Sequence, residues 1–481
     1  MKALIFSVKF SIIEKIVQWG AISMTRAQAF FESVCGKWVA ICGIGKNNIP
    51  VIHQFLNAGA KVIACDRRSE EELGDTATAL RQAGAILRLG DTYLDDLNVE
   101  LILRTPGMKP YLPQFVQARK RGITVTSEME LFFDLCEAPI YAVTGSDGKT
   151  TTTTIVAGLL DSAGIRTFVG GNIGRALLPY VQDIRPDDAA VVELSSFQLT
   201  GMTQSPHVAV VTNVSPNHLD WHTDMQEYVE AKRNLVAHQT AGDRAVLNVD
   251  NATTAGFISS CSAPVMTFSR QQRVENGCWL DEDGYIVLSE QGRDTRIMPT
   301  SSIRIPGVHN VENYMAAICA VWGKVDIAAV RRFAEAFGGV AHRCELVRER
   351  HGVRWYNDSI GSSPSRTIAG LVAFPQKVIL IAGGYDKHIP YDPLGPVAAD
   401  TVKCAILLGA TADAIEQAIR ACSDLPVYRV SGMEEAVLTA EKLAKDGDIV
   451  FMSPASASFD MYPNFEVRGD HFRDLVNALP E

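Results

Sequence analysis

The sequence has no Cys-x-x-Cys pair and no long block of charge of one sign. Its ten cysteines are scattered and several lie inside apolar runs, a pattern that buried free thiols in a reducing cytosol explain better than disulfides or a zinc site. A net charge of −10 argues against bulk binding to nucleic acid or to an anionic membrane. A composition of 47% hydrophobic residues excludes a disordered chain.

What the chain has is length and a recurrent pattern. At roughly 100–200 residues per domain, 481 residues predict three domains. Short apolar runs ending in small residues alternate with helical stretches in three segments, which predicts an α/β fold with mainly parallel sheets covered on both faces. Composition and pattern place the boundaries near 128 and 340, giving domains over 1–128, 129–340 and 341–481.

Residues 1–35 are predicted to be an N-terminal extension. Its apolar run Ala3–Phe10 is interrupted by Lys9 and followed by further charges, so it is too short and too broken for a signal peptide or a membrane span. The apolar spacing after it favours an amphipathic helix. Met24 is an alternative start, and we assign no function to residues 1–23.

The segment Thr144–Thr150 carries the most chemistry. An apolar run leads into Gly145-Ser146-Asp147-Gly148-Lys149-Thr150, and a helix is predicted over Thr151–Leu160. Glycines let backbone N–H groups converge on phosphate oxygens, and the helix N-terminus adds the positive end of its dipole. Lysine would reach the β- and γ-phosphates and the threonine hydroxyl would bind Mg²⁺. Val143 stands where a full P-loop has glycine, so the match is to a shortened loop.

Two further segments end predicted strands with polar residues. Glu193 follows a buried apolar run, and His218 and Asp220 follow the next one. Ligands of open α/β sheets collect beyond the carboxyl ends of strands, where all three elements fall. The combination predicts a Mg²⁺–ATP site, although each residue alone fits a structural role.

A weaker glycine signal lies in the first domain. Gly43-Ile44-Gly45 has two of the three glycines of a dinucleotide-binding loop, Asn48 stands at the third position, and Asp66 follows at about the ribose-binding distance. Alone, this pattern is weak evidence for NAD.

Together these residues resemble those of the Mur ligase family, the ATP-dependent amide-forming enzymes of peptidoglycan synthesis. The resemblance extends from about residue 36 to the end of the chain, and the motifs near the end resemble those of the D-glutamate-adding branch of the family. The motifs that carry it include the shortened loop, Glu193-Leu-Ser-Ser-Phe-Gln, Asn213…His218-Leu-Asp, Gly307-Val-His-Asn310-Val-Glu-Asn313, His342-Arg343, Asn357-Asp358-Ser359, Ser453-Pro-Ala-Ser-Ala-Ser458 and Asn464-Phe465…Arg468-Gly469.

The resemblance implies a Rossmann-like first domain for a UDP-sugar, a central ATPase and a Rossmann-like third domain that closes over an amino acid. It implies ATP and two Mg²⁺ ions as cofactors, UDP-N-acetylmuramoyl-L-alanine and D-glutamate as substrates, and a bacterial cytoplasmic enzyme. We expect no nucleic-acid partner, no membrane insertion and a chain that acts as a monomer.

The resemblance also implies roles for individual residues. Lys149, Glu193, His218 and Lys232 would be catalytic, and Thr150, Glu193, His218 and Lys232 would serve the metals, the lysine after carbamylation to N6-carboxylysine. On its own, Lys232 is a lysine on a helix surface. The implied ATP-binding residues are Gly145, Ser146, Asp147, Gly148, Lys149, Thr150, Thr151, Asn310, Asn313, Arg343 and Asp358; the UDP-sugar residues are Lys46, Asn47, Asp66, Arg67, Asn172, Ser195 and His218; the D-glutamate residues are Lys387, Ser458 and Phe465.

One departure concerns amino-acid binding, because Ile360 stands where many relatives have a lysine, and Arg366 is a candidate replacement for that charge. Three alternatives remain at this point. They are a folylpolyglutamate synthetase-like ligase, an NAD-dependent oxidoreductase built on the first-domain glycines, and a catalytically silent protein that senses a UDP-sugar.

Overall fold

A computed structural model describes residues 24–216 and 221–480 of the chain. The helix predicted within residues 1–23 and the residues His218 and Asp220 therefore lie outside the described residues. The fold divides into two compact units: one holds the chain up to Ile297 together with Glu312–Val330, and the other holds Met298–Val311 together with Arg331 onward. No helix in the described ranges is long and apolar enough to cross a bilayer.

The first sheet has five strands in the order β3-β2-β1-β4-β5, and each neighbouring pair is parallel. Its strands are β1 (Trp38–Cys42), β2 (Lys61–Asp66), β3 (Ile86–Leu89), β4 (Leu101–Arg104) and β5 (Thr124–Ser127). The helices of this stretch are α1 (Arg26–Ser33), α2 (Asn48–Asn57), α3 (Glu70–Leu73), α4 (Asp75–Gln82), α5 (Pro113–Lys120) and α6 (Glu128–Leu135).

The second sheet has nine strands in the order β14-β13-β12-β11-β10-β9-β6-β8-β7. It is parallel from β7 to β12, and β13 pairs antiparallel with β12. Its strands are β6 (Ile140–Thr144), β7 (Thr167–Gly171), β8 (Ala189–Glu193), β9 (Val208–Val211), β10 (Arg244–Asn248), β11 (Val265–Ser269), β12 (Gly277–Leu280), β13 (Tyr285–Glu290) and β14 (Arg293–Pro299). The accompanying helices are α7 (Lys149–Ser162), α8 (Ser196–Leu199), α9 (Met225–Ala237), α10 (Ala252–Gly256), α11 (His309–Val321) and α12 (Ile327–Ala336).

The third sheet has six strands in the order β15-β16-β20-β17-β18-β19, and only the β15–β16 pair is antiparallel. Its strands are β15 (Glu345–Arg350), β16 (Val353–Asn357), β17 (Val378–Gly383), β18 (Val402–Leu408), β19 (Val427–Arg429) and β20 (Ile449–Met452). The helices are α13 (Pro364–Leu371), α14 (Leu394–Thr401), α15 (Ala412–Arg420), α16 (Met433–Leu443) and α17 (Phe465–Ala478).

The central strands are continuous apolar runs because helices cover both of their faces. Every residue of β6, β8, β17 and β20 is buried. The first two sheets share one hydrophobic core, which runs from Phe31 through Phe132 to Leu235. The predicted fold class, three α/β domains with mainly parallel sheets, is therefore confirmed. The antiparallel strands β13 and β15 were not anticipated. Strand β15 is an edge strand with no buried residue and so carries no long apolar run, whereas β13 lies inside the sheet and its apolar residues do not reveal the strand direction.

Candidate active site

The loop between β6 and α7 has a backbone that only glycine can form at two positions. Gly145 and Gly148 have φ angles of +154° and +77°. A Cβ on Gly145 would lie 1.9 Å from Oγ1 of Thr212, and one on Gly148 would lie 2.4 Å from Oδ1 of Asn313. The loop is therefore held tightly against the end of β9 and against α11, which brings the predicted Asn313 to its edge.

Side chains and backbone that follow β9 hold the loop in place. The backbone N–H of Ser146 donates to the carbonyl of Asn213 at 2.9 Å, and that of Asp147 donates to the Asn213 side chain at 2.9 Å. Thr212 donates to the carbonyl of Asp147 at 2.6 Å, and the Ser146 hydroxyl lies 2.8 Å from the hydroxyl of Tyr228. A rigid loop thus precedes the N-terminus of a 14-residue helix, which is a suitable arrangement for binding phosphate.

Glu193 places a carboxylate beside the first turn of α7. Its side chain is buried, Thr150 donates to one of its oxygens at 2.6 Å, and Asn172 donates to the other at 2.7 Å. It forms no ion pair with any lysine or arginine of the described residues. A buried carboxylate next to a threonine hydroxyl supplies the hard oxygen donors that Mg²⁺ prefers, so these residues fit that ion. Within residues 24–216 and 221–480, no three His, Cys, Asp or Glu side chains converge into a metal cluster.

Lys232 corrects the expectation of a lysine on a helix surface, because it is only 2% exposed. Its Nζ donates to the carbonyl of Gly145 at 2.7 Å and to Oγ1 of Thr144 at 3.4 Å. Burial and the nearby charge of Lys149 lower the pKa of Lys232 to about 7, and Glu193 opposes this only in part. A large fraction of this amine is therefore neutral near pH 7.

The first-domain glycine loop is held by its own acidic residue. The backbone N–H of Ile44 donates to Asp66 at 2.7 Å, and Arg68 pairs with the same carboxylate at 2.9 Å. Burial acts to raise the pKa of Asp66, but the hydrogen bonds from Arg68 and Ile44 outweigh it and lower the pKa to about 2. Asp66 thus fixes the loop, while the predicted Lys46 and Arg67 are exposed.

A cavity of about 240 Å³ lies between the glycine loop, the ends of β4 and β5, and helix α8. Two of the predicted UDP-sugar residues, Lys46 and Asn47, line this cavity. Gln198 also lines it and forms a capping box with a third predicted residue, Ser195, at the start of α8. Its walls are formed by Gly45, Lys46, Asn47, Asn48, Thr105, Pro106, Ser127, Glu128, Met129 and Gln198.

In the other unit, Asp358 is buried at the end of β16. Ser453 donates to its Oδ2 at 2.7 Å and the backbone N–H of Cys344 donates to its Oδ1 at 3.2 Å. Burial raises the pKa of Asp358 to about 6, against these hydrogen bonds and the charge of Arg343. Nε of Arg343 is buried without a hydrogen-bond partner among the described residues. Asn310, in the same unit, donates to the carbonyl of Pro306 at 2.6 Å.

The predicted amino-acid residues lie at the carboxyl ends of neighbouring strands in this unit. Lys387 follows β17 and its Nζ contacts the carbonyl of Ser362 at 3.2 Å. Ser458 is buried after β20, and Phe465 begins α17. The turn between Asp358 and α13 contains Ile360, and Arg366 lies at the start of that helix.

Comparison with known proteins identifies the family of this chain. A model of the Mur ligase middle domain matches residues 143–321, and one of the Mur ligase glutamate ligase domain matches residues 342–456. The UDP-N-acetylmuramoylalanine--D-glutamate ligase of Acetivibrio thermocellus is 49% identical over 95% of this chain and 99% of its own length. The enzyme of that name from Clostridium novyi is 46% identical over 94% of this chain and 98% of its own.

The chain belongs to the Mur ligase family. This confirms the resemblance. Among solved structures, the UDP-N-acetylmuramate-alanine ligase of Thermotoga maritima has a TM-score of 0.55 at 17% identity and covers 92% of this chain and all of its own. The UDP-N-acetylmuramoyl-L-alanyl-D-glutamate--2,6-diaminopimelate ligase also has a TM-score of 0.55, at 19% identity over 87% of this chain and 93% of its own. These two likenesses concern the fold.

In this Mur ligase the structure brings Lys149, Thr150, Asn172, Glu193 and Lys232 around the phosphate loop. His218 lies outside the described residues.

The sequence reasoning missed two supporting residues of that region. Tyr228 contacts Ser146, and His222 is buried with Nε2 2.9 Å from the hydroxyl of Ser196. Tyr228 stands one helical turn before Lys232, so an i, i+4 pairing on one face of α9 could have revealed it. His222 carries no comparable signal, because a single histidine outside a motif predicts nothing specific.

Proposed function

We propose that this chain joins D-glutamate to UDP-N-acetylmuramoyl-L-alanine and converts ATP to ADP and phosphate. The observation that carries the proposal is the pair Thr150–Glu193 at the start of α7, because it combines a phosphate-binding loop with a buried carboxylate available to a cation. The substrates are proposed from the names of the full-length relatives, which cover nearly all of this chain.

The first step joins two anions, so charge must be neutralised before they meet. The carboxylate of the UDP-sugar substrate attacks the γ-phosphorus of ATP, a new O–P bond forms and the bond to the β-phosphate oxygen breaks. The backbone N–H groups of the loop and Lys149 hold the phosphates, and Thr150 and Glu193 would hold Mg²⁺ with His218. Bound Mg²⁺ would neutralise charge on the phosphate oxygens.

The second step makes the amide. The amino group of D-glutamate attacks the acyl phosphate, the tetrahedral intermediate collapses, phosphate leaves with the C–O bonding electrons and the amine loses a proton. Proximity carries this step, so no cysteine or serine nucleophile is needed. An acyl phosphate hydrolyses when exposed to water, which gives a reason for the third domain to cover it.

We further propose that Lys232 is carbamylated and that two Mg²⁺ ions act. The buried amine forms no ion pair with a carboxylate of the described residues, and its lowered pKa provides the neutral form that adds to CO₂. Carbamylation replaces a cation by an oxygen-donor anion beside Glu193, which suits a second hard cation.

The remaining assignments stay proposals as well. Thr151, Asn310, Asn313, Arg343 and Asp358 would complete the ATP site; Lys46, Asn47, Asp66, Arg67, Asn172 and Ser195 the UDP-sugar site; and Lys387, Ser458 and Phe465 the D-glutamate site. We keep the domains as 1–128, 129–340 and 341–481. Because one chain carries all of these residues, we propose that it works as a monomer, in the cytoplasm of a bacterium.

The test is phosphate release with ATP, Mg²⁺ and UDP-N-acetylmuramoyl-L-alanine, with D-glutamate present, omitted or replaced. We expect release only with both substrates and D-glutamate. Release with a different amino acid would keep the mechanism and change the specificity. No release with any amino acid would support the silent UDP-sugar sensor.

Lys149→Ala tests the phosphate site within the same assay. We expect phosphate release to fall by at least about a thousandfold, because a positioned charge on the transferred phosphate is lost. The melting temperature should remain close to that of the wild type, because the Lys149 side chain is half-buried and donates to the Ser146 carbonyl rather than packing in the hydrophobic core. Normal release from the folded variant would contradict the assignment.

A further inference from the structure

Arg468 belongs to a sequence motif that the proposed mechanism does not use. The structure places it in the first turn of α17, 1% exposed, among the largest fully buried side chains of the described residues. A buried guanidinium is costly unless hydrogen bonds satisfy it. The hydrogen bonds of Arg468 therefore indicate its structural role.

The guanidinium joins the segments that follow two neighbouring strands. Nη2 donates to the carbonyl of Ser359 at 2.9 Å and Nε to its hydroxyl at 3.0 Å, just after β16. Nη1 donates to the carbonyls of Ser456 at 3.1 Å and Ala457 at 3.0 Å, after β20. Four hydrogen bonds from one planar group thus fix the spacing of two strand ends.

The end of a third strand is packed against the same group. Gly384 follows β17, and a Cβ there would lie 3.1 Å from Nη1 of Arg468 and 2.2 Å from the carbonyl of Ala457. The backbone N–H of Tyr385 donates to that carbonyl at 2.9 Å. Strands β16, β20 and β17 are adjacent in the sheet, and ligands of such sheets bind beyond these ends.

Two of the tied segments carry a residue of the proposed amino-acid site, and the third carries Asp358 of the proposed ATP site. Asp358 precedes Ser359, Ser458 follows Ala457, and Lys387 lies three residues after Gly384. Ser359 also donates from its hydroxyl to the carbonyl of Phe465 at 2.8 Å, which extends the connection to the start of α17.

The charge of Arg468 is not neutralised locally. Its four hydrogen-bond contacts are uncharged oxygens, and it forms no ion pair with a carboxylate of the described residues. Burial lowers its pKa to about 10, with Asp460 acting in the opposite direction, so the group remains a cation at neutral pH. A buried positive charge beneath the strand ends favours a substrate that carries two negative charges over one that carries a single charge.

We propose that Arg468 is a positioning residue for the amino-acid substrate, holding three strand ends in register and biasing the site toward a dicarboxylic amino acid. This inference rests on the proposed function. It assigns to Arg468 an effect on amino-acid binding and on the choice between D-glutamate and D-glutamine.

The test compares Arg468→Lys and Arg468→Gln with Arg348→Lys. Arg348 is a matched control, because its Nη1 also donates only to carbonyls, those of Val476, Asn477 and Leu479 at the other end of the same helix. For Arg468→Lys we expect the KM for D-glutamate to rise about tenfold or more, as charged hydrogen bonds are lost. The KM for ATP should stay within about twofold of the wild-type value.

The Gln variant separates charge from geometry. It should lose the preference for D-glutamate over D-glutamine, whereas the Lys variant should keep most of it. If Arg468→Gln does not fold, Ser359→Ala, which removes one partner, should raise the same KM by a smaller factor.

Equal KM changes in Arg468→Lys and Arg348→Lys, or a parallel rise in all three substrate KM values, would overturn the positioning role. Wild-type protein that releases no phosphate would overturn the proposed function and this inference together. An active wild type with an unaffected Arg468→Lys variant would overturn only the inference.

Discussion

Lys232 and Arg468 are two buried cations, one in each compact unit, and burial has different consequences for them. Both are at most 2% exposed and both donate to backbone carbonyls next to a strand end. The pKa of Lys232 falls to about 7, whereas that of Arg468 falls only to about 10. At neutral pH the lysine is therefore partly neutral and the arginine is still charged.

The difference follows from the two functional groups. An ammonium is a compact, strongly hydrated charge with a modest pKa, so loss of water makes it give up its proton. A guanidinium spreads its charge over a planar group and satisfies four carbonyl and hydroxyl oxygens here without deprotonating. A buried lysine is suited to covalent chemistry, and a buried arginine is suited to holding backbone in place.

Of the two buried cations, Lys232 should give the larger effect on activity when it is replaced. Lys232→Ala should lower phosphate release by at least about a hundredfold, since the carboxylate formed by carbamylation is lost from the metal site. Short carboxylic acids should restore part of the activity. Lys232→Arg is the matched control: it keeps the charge, cannot add CO₂ and should stay inactive.

The same residue predicts a dependence on pH and CO₂. Because the pKa is lowered to about 7, the amine is protonated below that pH and cannot react, so carbamylation of CO₂-depleted enzyme should fall as the pH drops through 7. Intact-protein mass measured with and without bicarbonate reports the modification. An active wild type with an unmodified lysine, together with no rescue of the alanine variant, would contradict carbamylation.

The comparison also shows what the sequence can and cannot predict. The glycines and apolar runs predicted β6, the loop and α7, because local sequence determines those features. The burial of Lys232 could not be predicted in this way, because its hydrogen-bond partners Thr144 and Gly145 lie 88 and 87 residues away in the sequence. The role of Arg468 is equally non-local, since its partners lie 11 to 109 residues away.

Asp358 is a buried acid, and burial shifts its pKa in the opposite direction from those of the two buried cations. Burial raises the pKa of Asp358 to about 6, so the folded protein holds this proton more tightly than the unfolded chain does. Ionisation therefore opposes folding at pH 7, and wild-type stability should fall as the pH rises from about 4 to 6. Asp358→Asn should raise the stability at pH 7 by about 1 to 3 kcal/mol and reduce activity.

Thermal unfolding of the wild type and of Asp358→Asn across this pH range measures whether the substitution stabilises or destabilises the protein. The gain from Asp358→Asn should vanish below about pH 4, where the aspartate is protonated in both states. Asp413→Asn is the control, because that side chain is 99% exposed and should change stability by less than about 0.5 kcal/mol at any pH. A destabilised Asp358→Asn at pH 7 would show that its charge is compensated in the folded state.

The smallest effect should come from the residue that orients Glu193 beside Lys232. Asn172 donates one of the two side-chain hydrogen bonds to that carboxylate, at 2.7 Å, while the Thr150 contact remains in Asn172→Ala. Loss of one charge-assisted hydrogen bond should lower kcat/KM by about tenfold. Asn276→Ala removes a comparable exposed donor, to the carbonyl of Val265, and should be neutral. If a higher Mg²⁺ concentration restores the activity of Asn172→Ala but not that of Lys149→Ala, Asn172 acts through the cation site rather than through the phosphates. If the loss of activity in Asn172→Ala does not depend on Mg²⁺, Asn172 acts in substrate binding instead.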